Sequence, residues 1–404
     1  MTEAIAISRA LGAGNTNIEG VFVNTIDAIT KGNRMPGMML AALAVFAVLG
    51  GCSADSGVQV AQEVDQPPAV VTKPCAADGM FTVWCEYKNP EDLALTPDNK
   101  FLLATGFGGI PESTLNEMSI IELSTMQHGA VDIVLAENTW GDISCQRSSL
   151  DFSTHGLDIK QRTDGRQMVA VTNHLPEETV ELFELVSTES SWQLVWRGCV
   201  KSPLIESGAR LPMFNDVALT SDGAFYVTEM YNRMMPFDEL IAAGVAGEST
   251  GVVWSWSAKD GFQVVTGSQG SFPNGVVINP AEDTLFVNYW FSGETTKLDL
   301  TSGEVLATHQ GGRADNLTFA AGSVWAAKHD MTIMEYVEGC PADSTNCFLP
   351  FSVHELNPDD LSEKNAWHFN SSVFGFGTVA MPVGESIWFG TAHGDRVARY
   401  DIQR

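Results

Sequence analysis

The chain has 404 residues, 50 acidic against 22 basic, and a formal charge of −28. That balance excludes a nucleic-acid binder, which needs a basic footprint, and docking on an anionic lipid surface by charge alone. The 44% hydrophobic content supplies a full core, and 37 glycines with 10 tryptophans suit an all-β chain with many turns.

In chain order, the first element is a leader. Lys31 and Arg34 precede an apolar run from Met38 to Leu49, right for a signal core and too short to span a bilayer. The run ends Leu49-Gly50-Gly51-Cys52, which looks like a bacterial lipoprotein signal. Cys52 is then the lipidated first residue of the mature chain. The protein is expected in the cell envelope, lipid-anchored in the periplasm or on the outer membrane; a plain secretory signal is the alternative. Residues 1–51 read as an extension plus signal, 52–74 as a polar tether with Pro67-Pro68, and 75–404 as the folded domain. The first 51 residues carry three acidic and three basic side chains, so the mature charge stays at −28.

Beyond Cys52 six cysteines remain, an even number that outside the cytoplasm suggests disulfides with fifteen connectivities. The favoured pairs are Cys75–Cys85, Cys145–Cys199 and Cys340–Cys347, the first and last because they close short loops. No CxxC supports a metal reading.

Self-similarity is the strongest signal. Six segments start alike: Glu91-Asp92-Leu93-Ala94-Leu95, His155-Gly156-Leu157-Asp158-Ile159, Asn215-Asp216-Val217-Ala218-Leu219, Asn274-Gly275-Val276-Val277-Ile278, Asp315-Asn316-Leu317-Thr318-Phe319 and Gly377-Thr378-Val379-Ala380-Met381. The third and fifth positions are apolar in each, which is strand periodicity. A turn and a second strand follow each: Phe101–Phe107, Met168–His174, Phe225–Tyr231, Leu285–Phe291, Ser323–His329 and Ile387–His393. The spacing of about 40 to 65 residues leaves room for a four-stranded blade per repeat. The fold expected is all-β, a six-bladed β-propeller with four-stranded blades. A sandwich would lack the six-fold recurrence, and a TIM barrel would need helices between strands. One helix is expected, Pro236–Ala246, as a small insertion over one face.

In such a fold the first strand of each blade lines the central channel, so equivalent residues form a ring. The first two repeat positions hold mostly carboxylates and carboxamides. Converging buried acids require a counter-charge, and oxygen donors without thiolate select a hard cation such as calcium. Glu91 and Asp315 would neutralise one ion, with Asn215, Asn274 and Asn316 as uncharged donors. Asp92 and Asp216 could hold a second ion with backbone carbonyls. The alternative is that Asx residues merely start strands and bond to turns; recurrence in six-fold register argues against it. The second strands end at Phe107, His174, Tyr231, Phe291, His329 and His393, which would rim the same mouth as an apolar wall with a few polar groups. Packing between blades is the plainer reading for Phe291. His128, His309, His354 and His368 fall outside both columns and read as surface or structural. No HExxH zinc motif occurs.

His155-Gly156-Leu157, Val171-Thr172-Asn173-His174, Thr179-Val180-Glu181-Leu182-Phe183, Leu211-Pro212-Met213-Phe214-Asn215-Asp216-Val217, Phe272-Pro273-Asn274-Gly275-Val276 and Asp315-Asn316-Leu317 closely resemble the serum paraoxonase/arylesterase family. More distantly the chain looks like the senescence-marker/gluconolactonase group of calcium propellers. The likeness covers most of residues 85–404. It implies two calcium ions in the tunnel and hydrolysis of lactones, with aryl esters and sometimes phosphotriesters as side activities. It implies a catalytic calcium on Glu91, Asn215, Asn274, Asp315 and Asn316, and a structural calcium on Asp92, Asp216 and the backbone oxygen of Leu157. His155 and His174 match the family's histidine dyad, and Tyr231, His329 and His393 fall at pocket positions. Two departures stand out. The family's disulfide from an early cysteine to the C-terminus has no counterpart after Cys347, so ring closure must rest on strand pairing. The segment Pro236–Ala246 is shorter and less aromatic than the family's canopy helix, which bears on substrate preference.

The function expected is therefore a calcium-dependent hydrolase of lactones or aryl esters, the partner being a small-molecule substrate and the membrane contacted only through the lipid anchor. Calcium would polarise the carbonyl, and His155, oriented by His174, would take a proton from water. The alternatives are a non-catalytic calcium propeller displaying an interaction surface, or a sugar-lactonase or phosphotriesterase on the same scaffold.

Overall fold

The computed structural model describes residues 75–402 apart from 111–112, 205–209 and 342–343. The leader, Cys52 and the tether lie outside the described residues. What is described is a six-bladed propeller. The innermost strands are Pro90–Leu95, Thr154–Gln161, Pro212–Leu219, Pro273–Ile278, Arg313–Ala320 and Gly377–Val383, here blades 1 to 6. Each packs against the next, and the last returns to the first. The second strands, from Phe101–Gly106 to Ser386–Thr391, run antiparallel to them as the repeats imply.

Six apolar clusters explain why the wheel holds. Each lies between two neighbouring sheets, as with Leu103, Leu157, Val171 and Phe183 between blades 1 and 2, or Phe286, Leu317 and Val324 between blades 4 and 5. Alternate strand residues face opposite sides of a blade, so every sheet feeds two of these cores. The rims are also stitched by polar groups. Thr172 Oγ donates to the Asn215 carbonyl, Thr228 Oγ to Asn274, Asn288 Nδ2 to Asp315 and Thr378 Oγ to Glu91, each reaching the next blade's inner strand.

Ring closure does rest on strand pairing. Thr82–Cys85 is the outermost strand of blade 6, antiparallel to Arg396–Asp401 from the opposite end of the chain. Phe81 beside it sits among Phe351, Phe369, Phe374 and Phe389. The three cystines are the favoured pairs, Cys75–Cys85, Cys145–Cys199 and Cys340–Cys347.

Two features depart from the sequence expectation. Blade 2 has a fifth strand, Asp132–Leu135, lying parallel to its outer strand Trp192–Lys201. A second helix occurs, α2 (Ile333–Gly339), beside the expected α1 (Phe237–Ala246). The α2 start is a capping box in which Thr332 Oγ accepts from the Glu335 N–H and the Glu335 carboxylate accepts from the Thr332 N–H. Helix α1 buries Leu240 over Met213, Met230 and Tyr231, and ends at Gly247 in the left-handed region (φ 74°). No helix among the described residues is long and apolar enough to cross a membrane.

Candidate active site at the propeller hub

The ring residues reach the hub through a repeated irregularity. In every blade the register between first and second strands breaks at the first repeat positions: around Glu91, His155-Gly156, Asn215-Asp216, Asn274-Gly275, Asp315-Asn316 and Thr378. A bulge releases a residue from the ladder and re-aims its side chain. Gly156 shows how closely the strands then approach: a Cβ there would lie 2.5 Å from Asp216 Oδ1 and 2.6 Å from its Cα.

All the ring side chains are buried. Glu91 and Asn316 are each 1% exposed, and Asp92, Asn215, Asp216, Asn274 and Asp315 between 2% and 5%. Burial raises the carboxyls of Glu91, Asp216 and Asp315 well above the usual range, helped by mutual repulsion, and pushes Asp92 up to about 7. Glu91 Oε1 accepts from Asn316 Nδ2 at 2.7 Å. Four oxygens have no hydrogen-bond partner: Glu91 Oε2, Asn215 Oδ1, Asn274 Oδ1 and Asn316 Oδ1. An unpaired buried acceptor costs about 1–3 kcal/mol. Four of them, from blades 1, 3, 4 and 5 among crowded carboxylates, fit a hard cation held by oxygen.

Asp92 and Asp216 sit one position further on. Asp92 accepts from the N–H of Leu93 and, across the blade boundary, of Leu157 at 2.9 Å. Asp216 does the same with Val217 and Val276. Asp158, which sequence reasoning did not single out, repeats the clamp to Leu219. Asp92 and Asp216 thus join neighbouring blades whatever else they bind, and Leu157 enters the arrangement through its N–H.

The two predicted histidines meet. His155 Nδ1 lies 3.0 Å from His174 Nε2, both rings buried. His174 Nδ1 lies 2.9 Å from Glu178 Oε1, which also accepts from the Phe214 N–H, while Glu178 Oε2 pairs with Arg233 at 3.0 Å. On its other side His155 Nε2 faces Asn215 Nδ2 at 3.2 Å and Glu91 Oε1 at 3.9 Å. One proton assignment satisfies the whole chain: His174 Nδ1–H donates to Glu178, His155 Nδ1–H donates to His174, and the unprotonated His155 Nε2 turns its lone pair to the hub, where it accepts from Asn215 Nδ2–H. Burial, then the neighbouring His174, lowers the His155 pKa well below its usual value, so the ring is neutral at neutral pH. Glu178 and Arg233 are the partners that sequence reasoning missed. Glu178 lies four residues after His174 in a turn, a spacing that carries no signal without the fold.

Of the predicted pocket residues, Phe107 stacks on His155 with centroids 4.3 Å apart. His329 Nε2 lies 3.3 Å from Asp315 Oδ2, its Nδ1 accepts from Trp290 Nε1, and its ring stacks on Phe376. Tyr231 is 2% exposed beneath α1, with its hydroxyl toward Met213 Sδ. Phe291 packs in that same cluster, as its plainer reading has it. His393 is bonded to Ser344 in the Cys340–Cys347 loop rather than to a ring residue.

The family model described as Arylesterase matches residues 90–390. No curated protein matches the chain. Among solved structures, similarity extends to a luciferin-regenerating enzyme (10% identity, TM-score 0.48, covering 80% of this chain and 95% of that one). A gluconolactonase of Xanthomonas campestris shares 15% identity at TM-score 0.44, over 80% of this chain and 90% of its own. Regucalcin, a calcium-binding protein of Agrobacterium tumefaciens, shares 13% at TM-score 0.43, over 78% and 91%. The family match takes in the inner strands of all six blades and every hub residue named above, and the chain belongs to the arylesterase family.

Proposed function

We propose that the protein is a calcium-dependent hydrolase of lactones and aryl esters working at the propeller hub. The observation that carries this reading is the conjunction of four unpartnered hub oxygens with a histidine lone pair beside them. Glu91, Asn215, Asn274, Asp315 and Asn316 would hold the catalytic calcium, and Asp92, Asp216 and the Leu157 carbonyl a structural one. Bound there, calcium would supply electrophilic stabilisation of the ester carbonyl oxygen as charge develops on it.

The chain's own residues move the proton. His155 Nε2 takes a proton from the attacking water as its oxygen bonds to the carbonyl carbon. The imidazolium so formed donates Nδ1–H to His174 Nε2, and His174 donates in turn to the Glu178 carboxylate, so the positive charge meets a buried anion within two hydrogen bonds. The proton on Nε2 then passes to the departing alkoxide. In a lactone this oxygen stays in the product, a hydroxy acid; in an aryl ester it leaves as a phenol. Phe107 covers the His155 ring and keeps bulk water from it. His329, held beside Asp315, and the aromatic rings around it would line the substrate's approach.

The test is a panel of acyl-homoserine lactones, aldonolactones, phenyl acetate and a phosphotriester, given to purified protein with calcium and with a chelator. Chelator-sensitive turnover of a lactone or aryl ester is expected, abolished by Asp315→Ala and substantially lowered by His155→Gln. Bound calcium with no hydrolysis anywhere in the panel would overturn the reading in favour of a binding propeller. The lipid anchor at Cys52 is part of the same proposal: Cys52→Ser is expected to move the protein from the membrane to the soluble fraction, and an unchanged partition would exclude acylation there.

A further inference from the structure

Between the outer strands of blades 4 and 5 lies a second group of chemistry-bearing side chains. His309 is on Val305–Gln310, the outermost strand of blade 4. His354 is on Phe351–Leu356 and Glu363 starts Glu363–Phe369, the third and fourth strands of blade 5. One ligand atom from each lies within 4.8 Å of the other two. The His309 and His354 rings are 5.3 Å apart between centroids.

The surroundings are built for this group. His354 is 7% exposed, its Nδ1 is 2.7 Å from Glu363 Oε2 and its Nε2 is 3.1 Å from Ser352 Oγ. Ser352 leads to Asp330, whose other oxygen meets His368 Nδ1 at 3.2 Å. Behind the three ligand atoms there is thus a second carboxylate and a third imidazole, the kind of backing that orients metal ligands. His309 Nε2 is buried without a hydrogen-bond partner. Lys328 Nζ, also buried and unpartnered, shares its neighbourhood: a Cβ on Gly311 would lie 3.2 Å from Nζ and 3.6 Å from His309 Nε2. The Asp330 and Glu363 carboxylates lie near enough to Lys328 to offset part of its charge.

A hydrogen-bonded His354–Glu363 pair would account for those two residues alone. It leaves the turned-in, partnerless His309 nitrogen without a reason. We propose that His309, His354 and Glu363 bind one divalent cation of the zinc class, joining the outer edge of blade 4 to blade 5. Two imidazoles and a carboxylate suit a borderline metal, whereas the all-oxygen hub suits a hard one. The protein would then carry two kinds of ion in separate places, and the outer one would close an inter-blade seam where the outermost strand of blade 4 has little burial of its own, with Val305 and Leu306 exposed.

The experiment uses the full chain free of any histidine tag, stripped with chelator and reloaded with excess calcium to saturate oxygen sites. Zinc is then titrated calorimetrically, and cobalt is added as a spectroscopic probe of nitrogen ligation. One equivalent of zinc in the presence of calcium is expected, with cobalt d–d bands displaced by zinc. His309→Ala and Glu363→Gln, at partly exposed positions that spare the core, should each weaken zinc about tenfold or more and reduce the cobalt bands, the order of effect seen when a site loses supporting ligands. Absence of zinc binding in excess calcium, or binding undiminished in both variants, would overturn the proposal; neither result bears on hydrolysis at the hub.

Discussion

Glu178→Gln tests the proton path most directly. The carboxylate is fully buried and accepts from His174 Nδ1, from the Phe214 N–H and from Arg233. Glutamine keeps the shape and one acceptor oxygen but removes the charge. A hydrogen bond to a charged partner contributes about 1.5–3 kcal/mol, and this one strengthens when the histidine pair takes up a proton. Its loss should therefore fall on the transition state, lowering kcat about 10- to 150-fold at little cost in KM. Without the anion the pair is also less basic, so the acid limb of the kcat profile should move to lower pH. A purely structural defect would lower activity without moving that limb. The assay is kcat and KM on phenyl acetate and a γ- or δ-lactone across pH, in saturating calcium, with circular dichroism to establish that the variant is folded. A folded variant with kcat within about twofold of the parent and an unmoved acid limb would remove the Glu178–His174–His155 relay from the mechanism.

Three further predictions follow from the hub and the ring. In the absence of calcium, burial raises Asp92 from 3.8 to about 7, so the folded state holds a proton there that the unfolded chain releases. That contribution to stability is full below the unfolded value and is lost as pH rises through about 7. The Tm of chelator-treated protein should accordingly fall between pH 5 and 8 and the gap to calcium-loaded protein widen; an equal gap at both pH values would contradict this. Cys145–Cys199 spans 54 residues, and loop entropy puts its contribution at about 4 kcal/mol; Cys199→Ser should lower Tm by several degrees under non-reducing conditions, and an unchanged Tm would refute it. Truncation to begin at Tyr87 deletes the strand that closes blade 6 and uncovers the Arg396–Asp401 edge; the expected outcome is aggregation on size exclusion, and a monodisperse monomer would show that the ring closes without it.

The repeats made the wheel legible before any coordinates, because strand alternation is local: the apolar third and fifth positions of Leu93–Leu95 or Val217–Leu219 mark an inward face wherever the strand ends up. The ring acids were legible for a related reason, since charged and amide side chains recurring in register cannot all be accidents of turn chemistry. The pairing of His155 with His174 followed from the family resemblance and from which strand ends return to the hub. Tertiary structure decided the rest. The bulges that turn Glu91, Asn215 and Asn274 inward exist only between paired strands, so no single segment encodes them. Glu178 reads as an ordinary acidic turn residue until Phe214 and Arg233, from the next blade, close over it. His393 lies at a strand end equivalent to that of His174, yet the Ser344 loop takes it, because a short disulfide loop offers hydrogen bonds nearer than the hub does. His309 and His354, unremarkable in sequence, become neighbours only because blades 4 and 5 are adjacent and their outer strands meet. Periodicity is a property of a segment, whereas a site is a property of distances between segments, and those are set by how the six sheets pack.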